Sequence, residues 1–478
     1  MHPSGAVRTS VVHVTLGLCQ LLSVLAHLKT IAADKSMNRG HHEIQFLGVS
    51  DSDLRLIKTA ASFMPDDFGS NDNSQEHIDF GETGDGVAVN SDVLATSNTI
   101  EWTVDYLYDE QLIFWADPGR RILMLNLTSG QRATAVEDAT VGQQGLAVDW
   151  INRKIYWFSK NSGPFDDREM RLEVADIPRI EGSPMLTGHM RVNRRTLFWQ
   201  NIVNPKSLVV DPARGYLYWI NGESSTTPLW QIEQGSTDGQ YRQTLFSASA
   251  TNAIRYIPQA LAHDIVQNRL YWIWNYIETT GALDDRDRSR KDGSMMRNRD
   301  CGIEAIELDN VTKTGELDGG TPLNGLAGGP KTKSIVHHIG TSYTIAVYRD
   351  RLYWGETAVA IRSCSKFDCS DENLQRSVWD VPMKLEALKV FAPQPSLSSL
   401  QQGGSQVTVL PPTSPCQIDN ANCSHLCLTS PRVPYFSCVC PTGILMKGNG
   451  RQCEPKIFEN RGRVTTADLE KENVSASA

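Results

Sequence analysis

The chain has 478 residues, of which 40% are hydrophobic and 21% are charged, and its formal net charge at pH 7 is -9. These values are ordinary for a globular protein, and the length allows a large core together with a second, smaller domain. The acidic balance argues against nucleic acid or an anionic membrane as the main partner, because either would favour a basic surface.

The N-terminus has the features of a secretory signal. An apolar run from Val11 to Leu28 follows Arg8, and small alanines stand near its end. This pattern predicts a signal peptide over residues 1–33. Polar residues within the run favour a cleaved signal over a membrane anchor, and no later stretch is as long as a transmembrane helix. We therefore expect a secreted chain or the extracellular part of a receptor.

Cysteines and glycosylation sequons agree with the secretory route. Nine of the ten cysteines lie beyond the predicted signal, and six of them are confined to residues 416–453. Such density in a secreted chain indicates disulfides and not zinc ligands. The candidate sites of N-glycosylation are Asn126, Asn310 and Asn422.

A repeated pattern runs through the middle of the chain: a short apolar segment that ends in Asp, a turn, and then an aromatic pair. Each copy predicts a β-hairpin, since branched and aromatic residues favour strands and Gly, Pro, Asn and Asp interrupt them. Such units cannot bury their own faces, so we expect them to stack on their neighbours. The five copies begin at Val104, Gly145, Ser207, Ala260 and Thr344.

Two residue types recur within the copies. The tryptophan of each aromatic pair is interpreted as a packing residue between adjacent sheets and not as part of an aromatic ligand box, because recurrence in every unit favours a structural role. The aspartates are interpreted as hydrogen-bond acceptors at strand ends. The tryptophans are Trp115, Trp157, Trp219, Trp272 and Trp354, and the aspartates are Asp105, Asp149, Asp211 and Asp264.

These segments resemble the LDL-receptor class B repeat, whose YWTD signature follows an apolar strand that ends in Asp. The resemblance implies an all-β fold, a six-bladed β-propeller over residues 43–392 with polar loop insertions. Five full repeats are visible, and the sixth blade is split between the two ends. Glu43–Ile57 resembles its opening strands, and Lys384–Pro395 resembles its closing inner strand. Joining the ends in this way closes the ring and leaves no unpaired central edge.

A linker and a small module follow the propeller. Pro, Ser, Gln and Gly are frequent over residues 393–415, which predicts a linker. In the family that the repeats resemble, the small module docks against the bottom of the propeller after a short connection, and the length of this linker weakens the expectation of such docking here. The six cysteines of residues 416–453 resemble those of an EGF-like domain, which lacks here the acidic signature of calcium binding. Residues 454–478 are predicted to be a disordered tail.

The cysteines allow several pairings in principle. Resemblance to EGF-like domains implies the disulfides Cys416–Cys427, Cys423–Cys438 and Cys440–Cys453. Cys364 and Cys369 lie close together in one blade and are expected to form a local disulfide. The sequence leaves open whether Cys301 is a buried thiol or forms a link to another chain.

The sequence carries no motif of the common hydrolase or nucleotide-binding classes, so we predict a non-enzymatic protein without a catalytic residue, metal or cofactor. The resemblance implies the extracellular protein-binding module of a lipoprotein-receptor-related protein, with ligands of lipoprotein, growth-factor or matrix type. One alternative is a secreted structural protein of the matrix, similar to nidogen. Another is a calcium-dependent propeller hydrolase.

The family binds its ligands on loops that follow the YWTD segment and precede the inner strand. We favour Trp274 as the anchor of this face, because exposed aromatics beside carboxylates make good hot spots. His263 replaces a Val-like residue and is a candidate pH switch, since histidine titrates near neutrality. The ligand-face candidates, carried over by position, are Asp51, Asp117, Asn161, Glu223, Trp274, Asn275 and Glu356.

Overall fold

The computed structural model describes residues 44–50, 53–58, 90–96, 103–139, 141, 144–160, 170–179, 193–223, 229–248, 254–278, 301–309, 332–356, 360–367, 369, 376–381, 383–402, 411 and 413–455. Six four-stranded antiparallel sheets and two short hairpins make up most of the regular structure in these ranges. None of the helices found there is long and apolar enough to cross a membrane.

Each four-stranded sheet is a blade. The first three strands, β1 (Gln45–Val49), β2 (Asp53–Lys58) and β3 (Asn90–Thr96), belong to blade 6. Blade 1 contains β4 (Val104–Leu107), β5 (Leu112–Asp117), β6 (Arg121–Asn126) and β7 (Arg132–Val136). Blade 2 contains β8 (Leu146–Asp149), β9 (Lys154–Lys160), β10 (Met170–Asp176) and β11 (Arg194–Phe198).

The remaining blades follow in chain order. Blade 3 contains β12 (Lys206–Asp211), β13 (Tyr216–Asn221), β14 (Gln231–Ser236) and β15 (Arg242–Ser247). Blade 4 contains β16 (Ile254–Asp264), β17 (Arg269–Glu278), β18 (Cys301–Glu307) and β19 (Thr332–Ile339). Blade 5 contains β20 (Ser342–Tyr348), β21 (Arg351–Glu356), β22 (Ala360–Ser365) and β23 (Arg376–Asp380), and β24 (Ala387–Val390) is the inner strand of blade 6.

The inner strands contact one another in a closed cycle: β4 with β8, β8 with β12, β12 with β16, β16 with β20, β20 with β24, and β24 with β4. The ring closes through blade 6, where β24 pairs antiparallel with β1 so that Phe46 lies opposite Val390. The predicted all-β fold, a six-bladed propeller with one blade split between the chain ends, is therefore confirmed.

Each repeat tryptophan packs against the preceding blade. Trp157 lies in one core cluster with Phe114 and Met124 of blade 1, and Trp354 lies in another with Tyr271 and Ile303 of blade 4. The tryptophans of blades 2 to 5 are 0% exposed. Burial of a large aromatic ring at every blade boundary stabilises the stacking of the blades, which is the packing role that the repeats predicted.

Three repeat aspartates close the turn between the inner and second strands of their blades. Asp149 Oδ1, for example, accepts hydrogen bonds from the backbone N–H groups of Ile151 and Asn152 at 2.9 and 2.8 Å. Equivalent bonds are made by Asp211 and Asp264.

Asp105 is also a hydrogen-bond acceptor, but it does not close a turn. It lies within β4 opposite Phe114, before the turn begins, and its Oδ2 accepts a hydrogen bond from the Val148 N–H of blade 2 at 2.8 Å. Asp105 therefore joins two inner strands. Spacing from the aromatic pair, more than the presence of an aspartate, decides which role the residue takes.

Part of the predicted linker is an ordered helix, α1 (Leu397–Gln402). Leu397 and Leu400 are buried against Ile151, Ala213 and Ile265, which come from turns of blades 2, 3 and 4. The prediction of a linker is wrong for this segment, because two leucines three residues apart give the helix one apolar side that the propeller buries.

The EGF-like module begins with two short 3-10 turns, Pro415–Gln417 and Asp419–Asn422. Two hairpins follow: β25 (Leu426–Thr429) with β26 (Phe436–Val439), and β27 (Ile444–Met446) with β28 (Cys453–Pro455). Disulfides join Cys416 to Cys427, Cys423 to Cys438 and Cys440 to Cys453, and a fourth joins Cys364 to Cys369 in blade 5. Cys301 is buried in blade 4. A module this small depends on such bridges for its stability.

Candidate ligand-binding face

The propeller has two faces. We define the lower face as the turns between the inner and second strands and between the third and outer strands. The upper face consists of the loops that enter the inner strands and those between the second and third strands. All of the candidate ligand-face residues within the described ranges belong to the upper face or to the strand ends beside it.

The EGF-like module is docked on the lower face, although the length of the linker weakened that expectation. Thr237 Oγ1 donates a hydrogen bond to the Thr429 carbonyl at 2.6 Å, and Ser437 Oγ donates one to Asp238 Oδ2 at 2.8 Å. Gln417 Nε2 donates to the Ile151 carbonyl at 2.8 Å. These contacts are made with lower-face turns, and they leave the upper face untouched.

Equivalent residues enter the inner strands at the upper face and surround the upper end of the propeller axis. In blades 2, 3 and 4 they precede Asp149, Asp211 and Asp264 by five residues. We call this set the mouth ring. Its described members are Gln144, Lys206, Gln259, Tyr343 and Glu386.

Gln144 crosses the axis within the mouth ring. Its Nε2 donates hydrogen bonds to the carbonyls of Tyr343 and Glu386 at 2.6 and 3.0 Å. Its own carbonyl accepts one from the Leu208 N–H at 2.9 Å. A residue of blade 2 thus contacts blades 3, 5 and 6, and the upper end of the axis is bridged by protein groups.

The charged members of the mouth ring differ in their surroundings. Glu386 is 2% exposed and forms an ion pair with Lys384. Lys206 is half-buried; its Nζ lies 3.4 Å from Gln259 Oε1 and 4.6 Å from the centre of the Trp230 ring. Burial lowers the pKa of Lys206 below its ordinary value.

Two of the predicted ligand-face carboxylates already have cationic partners. Asp117 pairs with Arg121 at 2.5 Å, and Glu356 pairs with Arg362 at 2.7 Å. Glu223 is half-buried just after the second strand of blade 3. These carboxylates do not form a continuous acidic surface. The other two polar candidates, Asp51 and Asn161, lie outside the described residues.

Trp274 is 2% exposed, so the expectation that it anchors a ligand as an exposed aromatic is wrong. Its indole packs over Gly302 and lies edge-on to His337, with 6.2 Å between the ring centres. The strand β17 continues past the packing Trp272, so that Trp274 is still inside the sheet. Asn275, 5% exposed, is also buried, and its Oδ1 has no hydrogen-bond partner among the described residues.

His263 lies near the lower end of β16, away from the upper face. Its Nε2 is 3.8 Å from Asp211 Oδ2, and its ring is 5.2 Å from that of Tyr218. Burial lowers the pKa of His263, and Asp211 opposes that shift. The residue thus takes up a proton at a lower pH than an exposed histidine would.

Two glycosylation candidates can be placed. The side chain of Asn126 closes a turn at the end of β6: its Oδ1 accepts from the Ser129 N–H at 2.8 Å, and its Nδ2 donates to the Glu110 carbonyl. Asn422 is exposed on the EGF-like module. Asn310 lies outside the described residues.

The carboxylates of the repeat aspartates are occupied by protein groups. Asp211 Oδ2 pairs with Arg214 at 3.0 Å, and Asp264 Oδ2 pairs with Lys366 at 2.6 Å. Nowhere in the described part of the chain do three or more His, Cys, Asp or Glu side chains cluster in a way that could hold a metal ion.

Sequence reasoning missed the mouth ring and Trp230. The signal was present in blades 2, 3, 4 and 6, where a polar residue stands immediately before the first small residue of the inner strand, as in Gln144-Gly145 and Lys206-Ser207. The ligand-face candidates carried over by position follow the aromatic pairs. They therefore lie at or near the ends of second strands, one strand further from the propeller axis than the mouth ring.

Comparisons with known proteins agree with the repeats. A sequence family described as "LRP2-like, EGF-like domain" matches residues 413–456. Low-density lipoprotein receptor-related protein 5 of Mus musculus is 26% identical over 374 residues, which cover 77% of this chain and 18% of that protein. Vitellogenin receptor Yl of Drosophila melanogaster is 24% identical over 385 residues, covering 79% of this chain and 15% of that protein.

Among solved structures, a chain of the nidogen/laminin complex is similar with a TM-score of 0.46 and 16% identity, over 74% of this chain and 100% of that chain. The chain spans less than a fifth of the length of the curated relatives it matches. The similarity to those relatives therefore concerns only a part of each of them.

Proposed function

Because the chain is an LDL-receptor class B propeller followed by an EGF-like module, we propose that it serves as the extracellular protein-binding module of a lipoprotein-receptor-related protein. Its ligand docks on the upper face, around the mouth ring. The observation that carries this proposal is that the two faces of the propeller have different contacts. The EGF-like module and α1 bind lower-face turns, while the mouth ring places polar groups at the opposite end.

The hydrolase alternative is less well supported. A channel-centred calcium site would need carboxylates directed at the axis, whereas the repeat aspartates bind backbone N–H groups, Arg214 and Lys366. Gln144 also bridges the upper end of the axis. The matrix alternative would use the same propeller, so the identity of the captured ligand decides between a matrix protein and a receptor module.

The test is capture of ligands from extracellular fluid by the immobilised, secreted chain, followed by affinity measurement with the captured protein once purified. The upper-face variant combines Arg120→Glu with Glu223→Lys. The matched lower-face control combines Asp109→Lys with Arg349→Glu. Three of these residues are exposed and Glu223 is half-buried, and both variants keep the net charge.

We expect the upper-face variant to lose at least about tenfold in affinity, because reversed charges at an interface repel the partner's complementary groups. The lower-face control should bind like the wild type. The reverse result, with binding lost only in the control, would show that the ligand uses the lower face and would overturn the proposal.

A further inference from the structure

Lys206 lies in an arrangement that its own blade and the next one build together. In β12 the pairing with β13 shifts between Lys206 and Val209, and in β16 the pairing with β17 shifts between Pro258 and Ala260. Such bulges redirect side chains and are frequent beside functional sites. These two turn Lys206 and Gln259 toward each other across the blade boundary.

The bulge in β12 is maintained at a conformational cost. Ser207 has φ of 48°, a region that residues other than glycine adopt rarely. Its Oγ accepts a hydrogen bond from the Leu261 N–H of blade 4 at 2.8 Å. This bond fixes β12 against β16, so the direction of the Lys206 side chain is set by the backbone on both sides.

Among the described residues, the Lys206 ammonium has no carboxylate partner. Within that part of the chain, its contacts are the Gln259 side-chain oxygen and the face of Trp230. Desolvation alone accounts for the lowered pKa of Lys206. By contrast, Glu386 pairs with Lys384, and the upper-face carboxylates Asp117 and Glu356 pair with arginines.

All three side chains of this cluster are still partly accessible. Lys206, Gln259 and Trp230 are each half-buried, and Trp230 packs on the core cluster that contains Ile220 and Leu261. An incoming group would therefore meet a fixed cation, an amide and an apolar ring surface. A carboxylate would give the partly desolvated Lys206 ammonium a charged hydrogen-bond partner and so offset the cost of its burial.

We propose that Lys206, Gln259 and Trp230 form a subsite for a carboxylate side chain of the protein ligand, flanked in the ligand by an apolar side chain that contacts Trp230. The subsite rests on the proposed function, since it lies on the same upper face. It assigns the ligand a chemical character, an acidic residue beside an apolar one on the docking segment.

The direct test uses two acetylated and amidated peptides, Gly-Asp-Leu-Gly and its uncharged match Gly-Asn-Leu-Gly. The full chain is labelled with carbon-13 at the lysine ε-carbon, and the Lys206 signal is assigned by its loss in Lys206→Met. We expect the acidic peptide to shift this signal saturably and the Asn peptide to leave it in place. Equal shifts with both peptides, or none up to the solubility limit, would overturn the proposal.

The second test uses the captured ligand. Lys206→Met keeps the side-chain length and its contact with Trp230 but removes the charge. We expect its affinity to fall about tenfold or more, as for loss of a charged hydrogen bond, and its salt dependence to weaken. An unchanged thermal unfolding curve would show that the variant is folded.

The two proposals fail separately. If the charge reversal at Arg120 and Glu223 abolishes binding while Lys206→Met leaves affinity and salt dependence unchanged, the subsite is wrong and the upper face stands. If neither variant changes binding, the ligand does not use the upper face at all.

Discussion

At the scale of single residues, the same residue type takes different roles in different blades. Asp149, Asp211 and Asp264 close turns, whereas Asp105 joins two inner strands. The fifth repeat has Tyr348 in place of the aspartate. There, Lys366, which directly follows the third strand of blade 5, reaches Asp264 of blade 4. The repeat pattern predicted that the aspartates accept hydrogen bonds at strand ends. Only the strand register of the structure decided which aspartates close a turn and which one joins two strands.

His263 gives the protein a pH-dependent stability. Burial lowers its pKa, so the unfolded chain takes up a proton below about pH 6.5 that the folded chain resists. The free energy of unfolding should therefore fall with decreasing pH, by at most about 1.4 kcal/mol per pH unit from this group. His263→Val, which restores the residue type of the equivalent Val148 and Val210, should remove this part of the dependence.

The measurement is urea-induced unfolding of wild type and His263→Val at about pH 7.5 and about pH 5. His425→Gln, on the EGF-like module, serves as the control and should keep the wild-type dependence. An identical loss of stability in wild type and His263→Val would show that other groups account for the acid sensitivity.

Gly302 is required by the burial of Trp274. A Cβ atom at this position would lie 2.5 Å from Trp274 Cζ2 and 2.7 Å from the Val336 carbonyl oxygen. Gly302→Ala should thus reduce the free energy of unfolding by about 1–3 kcal/mol, the usual cost of overpacking.

Gly448→Ala is the matched control for this substitution, because nothing lies within 4 Å of its added Cβ. Chemical denaturation compares the two variants. If Gly302→Ala were as stable as the control, a glycine would not be required at position 302. The indole of Trp274 would then have to be mobile and not packed against this position.

At the scale of strands and blades, arginines at the start of outer strands tie neighbouring blades together. Arg132 donates to the Leu94 carbonyl of blade 6, Arg194 to carbonyls of blade 1, and Arg242 to carbonyls of blade 2. In blades 2 and 3 the arginine also pairs with a buried glutamate and covers the repeat tryptophan. Sequence patterns did not reveal this arrangement, because its members lie on three different strands.

Arg242→Met should be strongly destabilising. It leaves Glu233, whose side chain is 5% exposed, without its cation, and an uncompensated buried charge costs about 3–5 kcal/mol. Arg269→Met is the control, since Arg269 pairs with Glu307, which is 58% exposed, and such pairs contribute about 1 kcal/mol or less.

Thermal and chemical unfolding of both variants would measure this difference. Similar losses in Arg242→Met and Arg269→Met would mean that the interblade arginines contribute no more than surface ion pairs. The double variant with Glu233→Gln should recover part of the loss, because the buried carboxylate is then removed.

At the scale of the whole molecule, the EGF-like module and the propeller form one docked structure. Thr237 and Thr429 are both 0% exposed, and Thr237 Oγ1 donates to the Thr429 carbonyl. Gly215, with φ of +75°, allows close approach of the chain at Ser430 and Pro431. The disulfide-bonded module thereby extends the core of blades 2 and 3, whose cluster includes Leu426 and Leu428.

Thr237→Val should loosen this docking, because it leaves the buried Thr429 carbonyl without its donor at a cost of about 1–3 kcal/mol. Hydrogen–deuterium exchange should increase in residues 426–439 and remain unchanged in blade 5. Thr244→Val, a half-buried threonine on the outer strand of the same blade, is the control. Equal exchange in both variants would show that docking does not depend on this bond.

The sequence by itself determined the number of blades, the split sixth blade, the packing tryptophans and the presence of an EGF-like module. The repeats and the packing tryptophans follow from local periodicity. The blade number, the split sixth blade and the EGF-like module follow from the resemblance of these segments to the LDL-receptor class B repeat and to EGF-like domains. Only the tertiary structure decided that Trp274 is buried, that α1 is docked, and that Gln144 and Lys206 meet residues of other blades. Those contacts join residues far apart in the chain and arise only when the ring closes, so no local pattern records them.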